Sequence, residues 1–210
     1  MKLLIAGLKE AYMKILAVGA SGTIGSAVVR ALGSRHEVIR TSRNEDVRVD
    51  LSEPNSIKSL YESVEHIDAV VCAAGTGAFK PLDQLTDEDF ESSLGNKLMG
   101  QINLVRYGRS HLNDNGSFTL VSGILAHRPN PGTVLISVIN SGVEAFARAM
   151  ALDMPRGQRI NVVCPPLVKE TAEKMGWGEG AMTADEVAQY YVQAVEGDLN
   201  GELLGPLHGK

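Results

Sequence analysis

Gly19, Gly22 and Gly25 recur at every third residue in the run Gly19-Ala20-Ser21-Gly22-Thr23-Ile24-Gly25. An apolar stretch precedes them and a helical pattern, Ile24 to Leu32, follows, so the bend falls between a strand and a helix. Gly19 permits a tight turn, Gly22 lets an anion come close to the backbone, and Gly25 lets the helix settle on the sheet. The first N–H groups of a helix have no partner inside it. Here they would meet whatever approaches the bend, and the chemistry they suit is the gripping of a diphosphate, with the Ser21 hydroxyl as an added donor. This is the fingerprint of a dinucleotide site, with Thr23 and Ile24 supplying helix-start amides.

The end of the second strand bears on which dinucleotide. A site for NAD places a carboxylate there to accept from the ribose 2′-hydroxyl. This chain has Arg40-Thr41-Ser42-Arg43. A guanidinium pairs with phosphate oxygens at two points, so Arg43 predicts the phosphorylated coenzyme, NADP(H).

The elements that must position these residues follow from the pattern of apolar runs. Short runs alternate with helix-length segments, which predicts βαβ units and an α/β fold: one doubly wound parallel sheet, Rossmann-like, with helices on both faces. Strands are expected near 14–19, 36–41, 47–50, 68–73, 116–122, 160–164 and 202–204. Thr86 is positioned to cap one helix, Thr183 with Glu186 forms a capping box, Gly33 closes the first helix, and a long amphipathic helix is expected from Val134 to Met154. Only about five residues separate the second and third strands, where a parallel crossover usually takes a dozen or more. Five extended residues span roughly 17 Å, enough to return along a very short strand, so no helix is expected there.

A chain of 210 residues bounds the domain count at one, with residues 1–12 read as an extension and 13–210 as the dinucleotide-binding domain. The apolar run Leu3 to Leu8 is too short for an export signal and is broken by Lys9-Glu10. A net charge of −5 without a dense basic stripe argues against a nucleic-acid partner. Cys72 and Cys164 sit in apolar runs far apart, which reads as two buried thiols in a reducing, cytoplasmic setting. The five histidines share no ligand spacing with one another or with a cysteine, leaving no metal motif.

Taken in order, these motifs resemble those of the short-chain dehydrogenase/reductase family over about residues 14–206. The glycine bend resembles the family's T-G-x-x-x-G-x-G turn, with Val18 for its threonine and Thr23 for its middle glycine. Asp50-Leu51 matches the adenine-contacting acidic position, and Cys72-Ala73-Ala74-Gly75 is similar to the N-N-A-G turn with both asparagines replaced. Asn161-Val162-Val163-Cys164-Pro165-Pro166 resembles N-x-V-x-P-G, and Asn200-Gly201-Glu202 the turn into the last strand. The resemblance implies coenzyme contacts at Ala73, Ala74, Gly75, Asn140, Pro165 and Val168, with the segment at Pro165 lying along the nicotinamide.

The family's catalytic pair, Tyr-x-x-x-Lys, falls on Ile136 and Asn140. Isoleucine has no proton to give, and an amide cannot lower a neighbour's pKa as an ammonium does. Asn140 can still bond a ribose hydroxyl. The serine register falls on Gly123, one residue after Ser122. The helical asparagine register falls on Lys97, one residue after Asn96. Two readings of Lys97 stand side by side: a relocated active-site cation, able to act as an acid if burial lowers its pKa, or a surface or subunit-contact lysine. His127 is a proton donor near neutrality or a loop histidine in solvent. Trp177 stacks on a ligand beneath a lid or plugs a subunit contact. Tyr190 and Tyr191 are read as packing residues.

Two functions are therefore expected in competition. One is an NADP(H)-dependent oxidoreductase on a small carbonyl or alcohol, with a proton path rebuilt around Lys97, Ser122 or a water. The other is a module that holds NADP(H) for regulation or assembly without turnover. The helices after the fourth and fifth strands resemble the family's subunit faces, which implies a homodimer or homotetramer.

Overall fold

Strand and helix alternate along the chain much as the apolar runs predict. The computed structural model describes residues 12–207; the extension read at 1–12 lies, Tyr12 aside, outside the described residues. The order is β1 (Lys14–Val18), α1 (Thr23–Gly33), β2 (Glu37–Ser42), β3 (Val47–Arg48), α2 (Pro54–Glu62) and β4 (Ile67–Cys72). There follow α3 (Asp87–Ser93), a π-helical segment (Leu94–Met99), α4 (Gly100–Gly108) and β5 (Leu112–Val121). The chain continues through α5 (Val134–Asp153), β6 (Arg159–Val163), α6 (Lys169–Met175), α7 (Ala184–Glu196) and β7 (Leu203–Leu204). The strands form one seven-stranded sheet in the order β3-β2-β1-β4-β5-β6-β7, and every pairing is parallel.

Period-2 alternation explains how one sheet serves two cores. Leu16 and Val18 of β1, with Val70 and Cys72 of β4, enter a core with Tyr61, Leu104 and Val143. Ile15, Ala17, Ala69 and Val71, from the same strands, enter the opposite core with Val28, Leu32, Val187 and Tyr191. Strands buried on both faces must be largely apolar, and here the polar residues, Lys14 and Asp68, are confined to the first two positions of β1 and β4, where they are only partly buried.

The β2–β3 connection contains no helix, as its length predicts. Thr41 and Ser42 pair in parallel with Val47 and Arg48 across a turn. Both predicted caps form. Thr86 and Asp89 make a full capping box on α3, and Thr183 and Glu186 make one on α7. Helix α1 ends at Gly33, with Ser34 right-handed, so this glycine closes the helix without a left-handed turn. Helix α5 is long and apolar enough by length and composition to cross a membrane, but it places Leu135, Ile136, Ile139, Val143 and Ala147 in the protein interior.

Candidate coenzyme and reaction site

The glycine bend lies at the carboxyl end of β1, next to the edge where the sheet order reverses between β1 and β4. Gly19 has φ +86°, and a Cβ there would lie 2.7 Å from the Ala74 methyl. A Cβ on Gly25 would overlap the Gly19 carbonyl, so that position is closed to other side chains. The Gly22 N–H donates to the Gly19 carbonyl at 3.0 Å. Gly22 also serves as the N-cap of α1 without any side-chain cap. The amides of Thr23 and Ile24 are thus left for an anion.

A cleft of about 310 Å³ opens in front of this bend. It brings together Gly19, Ser21, Gly22, Arg43, Asp50, Leu51, Ala73, Ala74 and Gly75, and adds Asn44 and Asn96, which the sequence reading did not assign. Thr23, Ile24, Gly25, Asn140, Pro165 and Val168 are not among its walls. A dinucleotide fits the residues present: bare glycine backbone, an uncapped helix start, and an acidic side chain at the far end.

Local bonding sorts the Arg40–Arg43 segment. Arg40 pairs with Glu45 at 2.7 Å, an acid folded back from the β2–β3 turn. Thr41 is fully buried, and the Ser42 hydroxyl accepts from the Ser21 hydroxyl at 3.0 Å and from the Asn44 amide. Arg43 lines the cleft. The Asp50 carboxyl is held below the usual carboxylate range, chiefly by the hydroxyl and amide of Ser52 and to a smaller extent by the Arg43 charge.

Toward β5 the site changes character. Lys97 is buried in the π-helical segment. Inserted residues of this kind recur at functional sites, because they rotate a side chain off the regular helical face. Its Nζ donates to the Ser122 carbonyl at 3.2 Å, and its stem packs so closely that a Cβ on Gly75 would strike it at 2.6 Å. Burial pulls its pKa down to about 8, against smaller raising effects from Cys72 and Cys164. Asn96, its neighbour, accepts from the Thr76 amide at 3.0 Å and pins the loop after β4.

Ser122 is buried, and its hydroxyl donates to Glu144 Oε1 at 2.7 Å. His127 Nε2 lies 2.9 Å from Glu144 Oε2. The ligand-capable atoms of His127, Glu144 and Cys164 lie within 4.8 Å of one another, a grouping that spacing along the chain does not reveal. Each already has a hydrogen-bonding neighbour in this cluster. Burial pushes the Cys164 thiol up to about 11 and the Cys72 thiol to about 12, so both remain protonated near neutrality. Glu144 is the residue that the sequence reading missed. The available signal was a lone carboxylate one helical turn beyond Asn140, on the face that points inward.

Ile136 is 4% exposed, with Cδ1 close beneath Gly77. Asn140 is buried, donates weakly to the Gly123 carbonyl at 3.4 Å, and keeps an Oδ1 with no hydrogen-bond partner. An orphaned buried acceptor is costly to keep. Trp177 lies beyond α6, with its ring centroid 5.4 Å from that of Phe79. Tyr191 is a packing residue whose hydroxyl donates to the Cys72 carbonyl at 3.0 Å, and Tyr190 lies against the same core.

Comparison with known proteins accords with this geometry. A family profile described as enoyl-(acyl carrier protein) reductase matches residues 13–197. The protein lin1944 from Listeria innocua superimposes with a TM-score of 0.89 at 42% identity, covering 92% of this chain and 99% of that one. A small-chain dehydrogenase solved in complex with NADPH superimposes with a TM-score of 0.84 at 20% identity, over 93% and 96% of the two chains. The hydroxynaphthalene reductase arp2 of Aspergillus fumigatus is 33% identical over 140 residues, covering 64% of this chain and 50% of its own length. The chain thus spans about half the length of that relative. With the profile covering most of the sequence and the fold superimposing over nearly the whole of both chains, the chain belongs to the short-chain dehydrogenase/reductase family.

Proposed function

We propose that the protein is an NADP(H)-dependent reductase of a small carbonyl compound in which Lys97 takes over work usually shared by a tyrosine and a lysine. The observation that carries this reading is the buried Lys97 ammonium, seated between Gly75 of the coenzyme cleft and the Ser122 carbonyl at the end of β5.

The glycine bend and the start of α1 would hold the diphosphate, Asp50 the adenine end, and Arg43 the 2′-phosphate. Two solved neighbours carry NADPH and NADP respectively, which supports the phosphorylated coenzyme. Bound NADPH supplies a hydride. Hydride addition to a carbonyl leaves charge on the oxygen, and a group must neutralise it. Ile136 and Asn140 carry no proton suited to this. Lys97, with a pKa near 8, holds one at neutral pH and gives it up readily. The Ser122 hydroxyl is committed to Glu144, so its part is to hold the end of β5 in place. Asn140 and the segment from Pro165 to Val168 would border the nicotinamide half.

NADPH consumption measured against a panel of carbonyls and hydroxynaphthalenes tests the reading. Turnover that disappears in Lys97→Met supports it. Tight NADPH binding with no turnover on any compound would point to a coenzyme-holding module. Failure to bind either coenzyme at millimolar concentration would overturn both readings.

The same proposal includes a cytoplasmic setting and a homodimer or homotetramer. The exposed Met99, Val134 and Val138 on the π-helical segment and α5 offer an apolar contact face. Light scattering that finds only monomer would remove that part.

A further inference from the structure

Side chains of mixed chemistry come together where β5 and β6 leave the sheet. Val121 pairs with Val163, so the next residues, Ser122 and Cys164, emerge side by side. Backbone bonds hold both in place: the Ser122 amide donates to the Val163 carbonyl at 2.9 Å, and the Cys164 amide to the Leu204 carbonyl at 2.8 Å. Helix α5 brings Glu144 to them from its buried face. The turn Ile124–Ala126 brings His127, and it is tied to the segment beyond Cys164 by the Ile124 amide, which donates to the Pro165 carbonyl at 2.9 Å. His127, Glu144 and Cys164 thus reach one point from different parts of the fold, with their ligand-capable atoms within 4.8 Å of one another.

Ser122 and Glu144 already satisfy each other at 2.7 Å, so the carboxylate does not by itself call for a thiol and an imidazole beside it. Together these groups have the makings of a tetrahedral metal centre. Imidazole nitrogen, carboxylate oxygen and thiolate sulfur are the ligand types of zinc, and three protein ligands with a fourth position left to water is a recurring zinc arrangement. Hard cations such as Mg²⁺ and Ca²⁺ surround themselves with oxygen, whereas sulfur and imidazole favour zinc. The supporting donors are present too. The Ser122 hydroxyl holds Glu144 Oε1, which leaves Oε2 toward His127, and the Gly123 amide bonds the Cys164 sulfur. Such donors orient a ligating carboxylate and steady a thiolate. His127 Nε2 lies 2.9 Å from Glu144 Oε2. Two ligands of one zinc stand about 3.3 Å apart at ordinary bond lengths and a tetrahedral angle, so a small swing of the imidazole makes room. The same ring is 31% exposed, which gives an ion its way in. Zinc with one carboxylate and one thiolate carries no net charge, so neither the burial of Glu144 and Cys164 nor the Lys97 ammonium at the Ser122 carbonyl opposes it.

We propose that His127 Nε2, Glu144 Oε2 and Cys164 Sγ form a binding site for one zinc ion, with water in the fourth position. Binding breaks the Cys164 S–H bond: the sulfur keeps the electron pair for the metal, the proton passes to solvent, and nothing is oxidised or reduced. The histidine coordinates as the neutral ring, with its proton on Nδ1. The ion ties α5 to the ends of β5 and β6 and so fixes Ser122, whose carbonyl takes the Lys97 bond. The site stands on its own ligands and does not depend on the reductase reading.

The test uses the full chain, free of any affinity tag and stripped of metal with a chelator. Calorimetric titration with Zn²⁺ should show one ion per chain at micromolar affinity or tighter, with a heat that varies with the ionisation enthalpy of the buffer as a proton is released. Co²⁺ in place of zinc should give a thiolate-to-cobalt charge-transfer band together with the visible absorption of a tetrahedral ion. Cys164→Ser should remove that band, and Cys72→Ser should keep it. His127→Ala, at the partly exposed end of the site, should weaken Zn²⁺ by at least about tenfold, and it decides the matter alone if Cys164→Ser fails to fold. Zinc affinity no better than millimolar, Mg²⁺ bound as tightly as Zn²⁺, a cobalt complex without the thiolate band, or zinc binding unchanged in His127→Ala would each overturn the site.

Discussion

The two ends of the carboxyl edge differ in how they are built. At the adenosine end, backbone does the work: glycines, helix amides and a short turn leave an open cleft, and the side chains that matter lie within the first 51 residues apart from Ala73, Ala74, Gly75, Thr76 and Asn96. At the reaction end, side chains converge instead: Lys97 and Glu144 meet at Ser122, and His127 joins them through Glu144. Binding geometry encoded in backbone rests on positions such as Gly19 and Gly25, where an added Cβ would strike neighbouring atoms. Chemistry encoded in side chains depends on which ones meet, and here a buried Lys97 meets the Ser122 carbonyl.

The comparison can be broken at either end. Gly25→Val carries the largest expected effect, since the added side chain runs into the Gly19 carbonyl. Overpacking of this kind should lower NADPH affinity by about 100-fold in a calorimetric titration. Unchanged affinity would mean that the coenzyme does not use this bend. Next comes Arg43→Glu, for which NADPH binding should weaken by roughly 10- to 100-fold while NADH changes little. Equal losses for both coenzymes would remove the 2′-phosphate role.

Lys97→Met sharpens the contrast, because it should abolish turnover and yet stabilise the fold. The lysine's folded pKa, about 8, lies below its ordinary value of 10.5, so the unfolded chain binds the extra proton between those values. Its buried charge therefore costs stability in full below about pH 8, and the cost fades as pH rises toward 10.5. At pH 7 the variant should gain about 1–2 kcal/mol in denaturant unfolding, with the gain gone by about pH 10.5. Wild-type turnover should fall as pH rises through about 8. A destabilised variant, or a flat pH profile, would argue against a buried acid. The smallest effect is expected from Glu144→Gln, which keeps the acceptor for Ser122 but removes the charge beside His127. A cost of about 1 kcal/mol and unchanged NADPH affinity are expected; a large loss of coenzyme binding would show that the two ends are coupled.

Much of the fold was legible because its signals are local. Alternating burial in β1 and β4, the capping residues Thr86 and Thr183, and the connection too short for a helix between β2 and β3 are each readable within a few residues. The glycine bend was legible for the same reason. The Ser122–Glu144–His127 grouping was not, since it joins residues from β5's end, the following loop and α5 through bonds that no spacing rule predicts. Arg40 teaches a similar lesson. The turn after β2 brings Glu45 onto it, a pairing that the Arg40–Arg43 segment alone does not show. The choice between a buried and a surface Lys97 likewise depended on the π-helical turn, whose extra residue leaves no clear mark in composition.

The hydrogen bond from the Tyr191 hydroxyl to the Cys72 carbonyl ties the last helix to the residue just before Ala73-Ala74-Gly75. During synthesis, then, the coenzyme loop emerges from the ribosome long before the group that steadies it, and the nascent chain should remain unable to retain NADPH until Tyr191 has been translated. Ribosome-bound chains halted before Ala184 that nevertheless hold the coenzyme would show that the loop sets without that late support.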